Sequence, residues 1–269
     1  MYALLKKAFF SRYQKPWSWP EGVPQDQWER VEFRNHSGKQ MVGLLARAHG
    51  EPRGTVVIPH PMVAEAKAFA MRSGHADFLR DAGYNVFVFD FNGFGESESG
   101  KFEFPQDIVA GGNAAAERAP GLPVALLGIS MGAGYGVCAL DTPGHPFRAA
   151  VLESAFTSLE EFWRRYKFPY LVLRGLGVVL PRLARELRPI DRVGSITGVT
   201  GLLFIHGDKD STTPPAMGER LLAACTLPAD QRALWVAPGA RHLRTLQQSG
   251  DEYRQRILAF LDHSLAPAA

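Results

Sequence analysis

Ser130 is the residue whose surroundings point most directly to chemistry. It lies in Gly128-Ile129-Ser130-Met131-Gly132, which fits the pattern G-x-S-x-G. In that pattern the serine occupies a sharp turn from a strand into a helix, and the two glycines remove side chains that would collide there. The turn exposes the hydroxyl and directs the N–H groups of the helix N-terminus at a developing negative charge. Because an apolar strand precedes Ser130 and a small-residue helix follows it, we interpret Ser130 as a nucleophile and not as part of a glycine-rich structural or nucleotide-binding turn.

A serine hydroxyl is a weak nucleophile at neutral pH and needs a base. His242, in VAPGARHLRT after the last predicted strand, is the candidate, and the Pro238-Gly239 turn would let its loop fold back over the sheet. A carboxylate must then hold the imidazole in the correct tautomer. Asp208 and Asp210, in FIHGDKDSTTPP, both follow the preceding strand and are candidates for that role.

These segments resemble the serine hydrolases of the α/β-hydrolase fold, and more narrowly the esterase and lysophospholipase-like branch that includes serine aminopeptidases. The resemblance covers roughly residues 31–263. GISMGAG resembles the nucleophile elbow and GARHL the histidine loop, while HGDKDSTTPP resembles an acid loop whose usual form, H-G-x-x-D-x-x-V-P, selects Asp210. DFNGFGES resembles the D-x-R-G-x-G-x-S turn, with Asn92 in place of arginine. In LESAFTSL, Glu153 usually has a structural role, although some related folds place the acid there.

The resemblance also bears on the histidine in TVVIPHPMVA. The family has a His-Gly loop at this point, which supplies one N–H of the oxyanion hole, and the residue after the nucleophile supplies the other. Here Pro61 follows His60, and proline has no N–H to donate. We therefore expect the backbone N–H groups of Met62 and Met131 to form the hole. With His242 as the base, we interpret His60 as a residue that orients the loop.

The elements that must position these residues alternate along the chain. The predicted strands cover residues 31–35, 40–48, 54–60, 84–91, 124–129, 149–154, 201–207 and 233–238, and the predicted helices cover 67–83, 105–118, 131–141 and 250–264. Continuous apolar strands that alternate with helices predict a mostly parallel sheet covered by helices on both faces. Ligands of such sheets bind beyond the carboxyl ends of the strands, where each candidate residue lies. The expected class is α/β, with an α/β-hydrolase fold.

The spacing of the strands divides the chain into three predicted parts. Residues 31–156 and 196–269 form the predicted core, and residues 157–195, too long for a simple crossover, form a small helical cap rich in aromatic and aliphatic residues. Residues 1–30 are an N-terminal extension. Its first segment could form an amphipathic helix that makes weak contact with a lipid surface, but we favour packing against the protein body or a second subunit.

Composition excludes several classes of function. Lys and Arg number 30 against 27 Asp and Glu, a net charge of +3 that does not indicate nucleic-acid binding. The two cysteines, Cys138 and Cys225, show no metal-ligand spacing, and we expect neither a metal nor a cofactor. Lys6 and Lys7 interrupt the apolar run at the start, and no stretch is long enough to span a membrane. We therefore expect a cytoplasmic protein; the sequence does not predict its oligomeric state.

The expected function is that of a serine carboxylesterase acting on uncharged short- to medium-chain esters. The same residues could cleave lysophospholipids, monoacylglycerols, thioesters or peptides, and they could also transfer an acyl group to an alcohol. Fold and nucleophile do not distinguish these reactions. A non-catalytic binding protein of the same fold is disfavoured, since such proteins usually lack one of the three residues and this chain keeps all of them. An aspartate-nucleophile hydrolase is disfavoured because position 130 is serine.

Overall fold

The computed structural model describes Lys6 and residues 9–164, 167–179 and 187–266. Parts of the predicted N-terminal extension and of the predicted cap, including Tyr166, lie outside the described residues, as do the last three residues of the predicted core.

One eight-stranded sheet runs through the described residues, in the order β1-β2-β4-β3-β5-β6-β7-β8. Its strands are β1 (Trp28–Arg34), β2 (Gln40–Ala46), β3 (Gly54–Pro59), β4 (Tyr84–Phe89), β5 (Val124–Ile129), β6 (Phe147–Glu153), β7 (Gly201–Gly207) and β8 (Arg232–Ala237). β2 is antiparallel to β1 and β4, and every other neighbouring pair is parallel. The mostly parallel sheet of the sequence-based prediction is confirmed.

Helices cover both faces of this sheet. They are α1 (Ala68–Arg72), α2 (His75–Asp81), α3 (Phe104–Arg118), α4 (Met131–Leu140), α5 (Leu159–Phe162), α6 (Lys167–Val179), α7 (Pro189–Arg192), α8 (Pro215–Ala224) and α9 (Thr245–Leu265). Successive strand residues point to opposite faces, so Val57 belongs to the apolar layer that includes residues of α3, α4 and α8, whereas Val56 and Ile58 belong to the layer that includes residues of α1, α2 and α9. Two apolar layers therefore hold the sheet between them, which explains why its central strands are apolar throughout.

The strand register brings several loops to one edge of the sheet. Ile129 at the end of β5 pairs with Glu153 on β6, and Glu153 pairs with Ile205 on β7. The residues that follow these strands consequently lie side by side at the carboxyl edge. The fold thus creates a single place where Ser130 and the β7 loop can meet.

Two predicted helices differ from the observed ones. The predicted helix at 67–83 is divided into α1 and α2, because Gly74 adopts φ 84°, a left-handed value that ends α1 and that glycine tolerates. The predicted helix at 250–264 begins earlier, at Thr245, and α9 is kinked at Gly250, where φ is 50°. In both cases a glycine inside an amphipathic pattern changes the direction of the chain without removing the apolar contacts.

The region of the predicted cap contains α5, α6 and α7 among its described residues. The side chain of Ser158 caps α5 by accepting a hydrogen bond from the Glu161 N–H at 3.2 Å. On α6, Leu171 and Val178 are exposed, with 63% and 82% of their surface accessible. The described part of this region is therefore helical, while the cap as a separate unit stays a prediction.

Two residues of the N-terminal extension pack into the protein body. Phe10 is buried and lies 5.5 Å, ring to ring, from Phe104 of α3. Lys6 is also buried, and its Nζ donates a hydrogen bond to the Asn92 carbonyl oxygen at 2.7 Å and contacts the Asn92 side chain. A cation from the extension thus reaches the turn at Asn92, where the D-x-R-G-x-G-x-S pattern has arginine. None of the helices within the described residues has the length and apolar character needed to cross a membrane.

Candidate active site

Ser130 lies between β5 and α4 in a strained backbone conformation. Its φ is 53° and its ψ is −105°, a combination that non-glycine residues rarely adopt. A Cβ on Gly128 would lie 2.6 Å from the Gly132 carbonyl oxygen, and a Cβ on Gly132 would come still closer to the carbonyl oxygen of Pro59. The two glycines are therefore required because the turn into α4 passes directly against its neighbours, as the G-x-S-x-G pattern predicts.

The structure brings Ser130, His242 and Asp210 into one hydrogen-bonded chain. Ser130 Oγ lies 2.9 Å from His242 Nε2, and His242 Nδ1 lies 2.7 Å from Asp210 Oδ2. Since an ionised carboxylate can only accept, Nδ1 carries the ring proton and Nε2 is free to accept the serine proton. This is the arrangement in which an imidazole acts as a base toward a hydroxyl group.

Asp210 is fully buried as a side chain and surrounded by donors. Its Oδ1 accepts from the N–H groups of Thr212 and Thr213, both at 2.8 Å, and its Oδ2 accepts from the hydroxyls of Ser154 and Thr213 at 2.9 and 2.8 Å. Burial raises the pKa of Asp210, but the hydrogen bonds from His242 and Thr213 outweigh it and lower the pKa to about 2. The carboxylate is therefore ionised at neutral pH and fixed in orientation.

The two other candidate carboxylates lie elsewhere. Asp208 Oδ1 accepts from the Gly239 N–H at 2.7 Å and so fixes the turn before the histidine loop. Glu153 is buried at the end of β6, where its Oε2 accepts from the Tyr253 hydroxyl of α9 at 2.6 Å and lies 3.9 Å from His75 Nε2 of α2. The geometry therefore favours Asp210 as the partner of the imidazole, in agreement with the acid-loop pattern.

His60 uses both ring nitrogens to hold the backbone of its loop. Nε2 accepts from the Phe91 N–H at 3.2 Å, so Nδ1 carries the proton and donates to the Pro61 carbonyl oxygen at 2.7 Å. The side chain is buried, and this burial lowers the pKa of His60 to about 4. His60 is therefore neutral at physiological pH, and its contacts are those of a residue that orients a loop.

Two backbone N–H groups near Ser130 are free of helix or strand pairing. Met131 is the first residue of α4, where the N–H groups have no partner within the helix. The N–H of Met62 donates no hydrogen bond to any of the described residues, and Pro61 beside it has no N–H. Both methionines also line the same cavity. These two groups are thus available to a ligand bound at the carboxyl edge.

That cavity is small: about 10 Å³ of it is wide enough for a water molecule, and it opens to solvent. Besides the two methionines and Tyr135, its lining consists of Phe10, Phe156, Leu159, Phe162 and Trp163. The extension, α4, the loop after β6 and α5 all contribute. A pocket with such walls recognises a ligand mainly through the apolar surface that the ligand buries. No cluster of three or more His, Cys, Asp or Glu side chains suited to a metal ion is present in the described part of the chain.

Several residues of this site were not singled out from the sequence. Ser154 and Thr213 donate to Asp210, and Phe10 and Tyr135 line the cavity. Thr213 carried a signal, because a hydroxyl residue shortly after an aspartate often belongs to a local turn held by that carboxylate. The other three are brought in by tertiary packing and had no local signature.

Comparison with known proteins agrees with the fold and the motifs. Residues 50–193, more than half of the chain, match the family model described as serine aminopeptidase, S33. An uncharacterised protein of Mycobacterium tuberculosis, Rv2307c, is 32% identical over 180 residues, and the uncharacterised protein YfhR of Escherichia coli is 27% identical over 261 residues. The esterase Pf2001 of Pyrococcus furiosus has a similar fold, with a TM-score of 0.75 at 21% identity.

These matches differ in extent. The aligned part is 64% of this chain and 58% of the mycobacterial protein, so this chain spans a little over half of that relative. For YfhR the shares are 90% and 84%, and for the Pyrococcus structure they are 94% and 98%. The resemblance to the α/β hydrolases is therefore confirmed over most of the fold. The chain belongs to the serine aminopeptidase (S33) family and has the α/β-hydrolase fold.

Proposed function

We propose that this protein is a serine carboxylesterase that cleaves uncharged short- to medium-chain esters. The observation that carries the proposal is the chain of hydrogen bonds from Ser130 Oγ through His242 to Asp210, at 2.9 and 2.7 Å, beside an apolar cavity. A hydroxyl, a base and a fixed carboxylate in this order perform acyl transfer through a covalent intermediate.

In the proposed reaction, Ser130 Oγ attacks the ester carbonyl carbon while its proton moves to His242 Nε2. The negative charge that develops on the carbonyl oxygen is held by the N–H groups of Met62 and Met131. Asp210 stabilises the imidazolium through Nδ1. The protonated Nε2 then gives its proton to the leaving alcohol, and the acyl group remains on Ser130. Water, deprotonated by His242, attacks this acyl-enzyme and releases the acid.

The lining of the cavity supports an acyl group over an aminoacyl group. An aminopeptidase substrate has a charged amino terminus, which needs a carboxylate or several acceptors nearby. None of the described residues that line the cavity carries a charge. The peptidase reading suggested by the family description is therefore the second candidate, and lysophospholipid, monoacylglycerol and thioester hydrolysis remain alternatives that use the same residues.

A series of 4-nitrophenyl esters with two to sixteen carbons in the acyl chain tests this proposal. Each methylene that enters the cavity should raise kcat/KM by about fourfold, since its burial is worth about 0.8 kcal/mol. The increase should end at medium chain length, because the cavity is small and a longer chain extends beyond its apolar lining. A maximum at palmitoyl esters would indicate a lipase, and cleavage of aminoacyl 4-nitroanilides alone would indicate a peptidase.

A pair of variants shows whether this cavity sets the chain length. Leu159→Ala should enlarge the cavity and move the optimum to a longer acyl chain. Leu171→Ala makes the same change at an exposed position of α6 and should leave the optimum where it is. Equal chain-length profiles for both variants and the wild type would place the acyl group elsewhere.

A further inference from the structure

One of the residues that line the cavity of Met62 and Met131 carries a hydroxyl group. Tyr135 lies on α4, one helical turn beyond Met131, and lines the cavity together with phenylalanine, leucine, methionine and tryptophan residues. Its ring is held between Phe104 and Phe156, with centroid distances of 5.0 and 5.5 Å. A phenylalanine would pack between these rings equally well, so packing alone does not account for the hydroxyl.

The Tyr135 hydroxyl has no hydrogen-bond partner among the described residues, although the side chain is completely buried. Buried hydroxyl groups in proteins almost always have a partner, because leaving one unpaired is unfavourable. Burial also raises the pKa of Tyr135, so the group stays protonated and can donate. An unpaired donor on a residue that lines a ligand cavity is suited to an acceptor that arrives with the ligand.

The position of Tyr135 along α4 indicates where that acceptor would be. Tyr135 is four residues beyond Met131 on α4, which corresponds to about 6 Å along the helix axis. An acyl group attached to Ser130 would therefore meet the hydroxyl several carbon atoms from its carbonyl carbon. A plain alkanoyl chain would cover the hydroxyl without pairing it, whereas an oxygen at the matching position of the chain would accept its hydrogen bond.

We propose that Tyr135 determines acyl specificity, and that the preferred acyl groups carry an oxygen acceptor, such as an ether, ketone or hydroxyl, within the chain. This inference rests on the proposed function, because it assumes that the acyl group enters the cavity from Ser130. It adds to that function a substrate class, oxygen-substituted medium-chain esters, and a residue that selects it.

The test compares 4-nitrophenyl octanoate with analogues in which one methylene, at position 4, 5, 6 or 7, is replaced by an ether oxygen. The kcat/KM of each analogue, divided by that of the octanoate, is measured for the wild type and for Tyr135→Phe. At one position this ratio should be about 3- to 10-fold higher in the wild type, the effect of one hydrogen bond. Octanoate hydrolysis by the same protein is the reference in each ratio, so any general effect of the substitution on the cavity cancels.

Tyr84→Phe is the matched control. The Tyr84 ring is also buried, but its hydroxyl donates to Asp262 at 2.7 Å, away from the cavity. This control should lose thermal stability, because it removes a paired hydroxyl, and should keep the wild-type ratios. Tyr135→Phe should show the reverse: unchanged or higher stability without substrate, and altered ratios.

Identical ratios at every position in the wild type and in folded Tyr135→Phe would overturn the inference. If the variant does not fold, the wild type decides alone: ratios below one at all four positions would contradict the proposal, since an ether oxygen is disfavoured in a purely apolar pocket. Absence of octanoate hydrolysis by the wild type would instead reject the proposed esterase function, so the two failures are distinguishable.

Discussion

Replacing Ser130 with alanine is expected to lower kcat for a medium-chain ester by about 10⁴- to 10⁶-fold, the usual cost of losing the nucleophile of such a triad. The methyl group of alanine fills the same space, so folding should be unaffected. Rates measured with a 4-nitrophenyl ester, together with a circular dichroism spectrum and a melting curve, check both statements.

Ser154→Ala is the matched control for Ser130→Ala, because it removes a hydroxyl group near the same site. Ser154 also follows a strand and also has a positive φ, of 57°, but its hydroxyl contacts Asp210 and not the imidazole. Losing one of several hydrogen bonds to a carboxylate should lower kcat by roughly 3- to 10-fold. A folded Ser130→Ala variant with turnover near that of the wild type would reject Ser130 as the nucleophile.

Asp210→Asn is expected to lower kcat by about 10⁴-fold, because an amide stabilises the wrong imidazole tautomer and no longer balances the imidazolium charge. Glu153→Gln should have a far smaller effect on kcat, since Glu153 contacts Tyr253 and not His242. Its effect should appear in the free energy of unfolding, at about 1–3 kcal/mol, because the contacts of a buried charged group change.

Steady-state kinetics and urea denaturation of both variants separate the two roles. Glutamine keeps the size of Glu153 and can still accept from the Tyr253 hydroxyl, so Glu153→Gln is the milder of the possible changes at this position. The opposite order, with Glu153→Gln more damaging to kcat than Asp210→Asn in two folded proteins, would move the acid to Glu153.

Much of the fold could be predicted because local pattern and tertiary environment agree. The strands around Val57 and Leu126 are apolar without interruption, and the structure buries them on both faces of the sheet. The prediction of one continuous helix over 67–83 was wrong. The helical spacing of its apolar residues continues past Gly74, although the chain turns at that residue. The spacing does not reveal the turn because it carries no information about the positive φ of Gly74.

For the candidate site, the sequence indicated residues with a local signature and not those brought in by packing. Ser130 and His242 lie in recognisable loops, and the acid was found by the pattern around Asp210. Phe10 belongs to the N-terminal extension, for which the sequence showed only an amphipathic pattern. It lines the cavity because the extension packs on the body, with Lys6 against the turn at Asn92 and Phe10 against α3. Such contacts join residues far apart in the chain, which no local pattern encodes.

The most direct test of the central proposal is the site of covalent labelling by a fluorophosphonate. This reagent phosphonylates a serine only where a base and an oxyanion site activate it. Mass spectrometry of the digested protein should find one phosphonyl group per chain, on the peptide that contains Ser130, and loss of ester hydrolysis should parallel its formation. Labelling of a different residue, or an active enzyme that stays unlabelled and uninhibited, would contradict the proposal that Ser130 is the nucleophile.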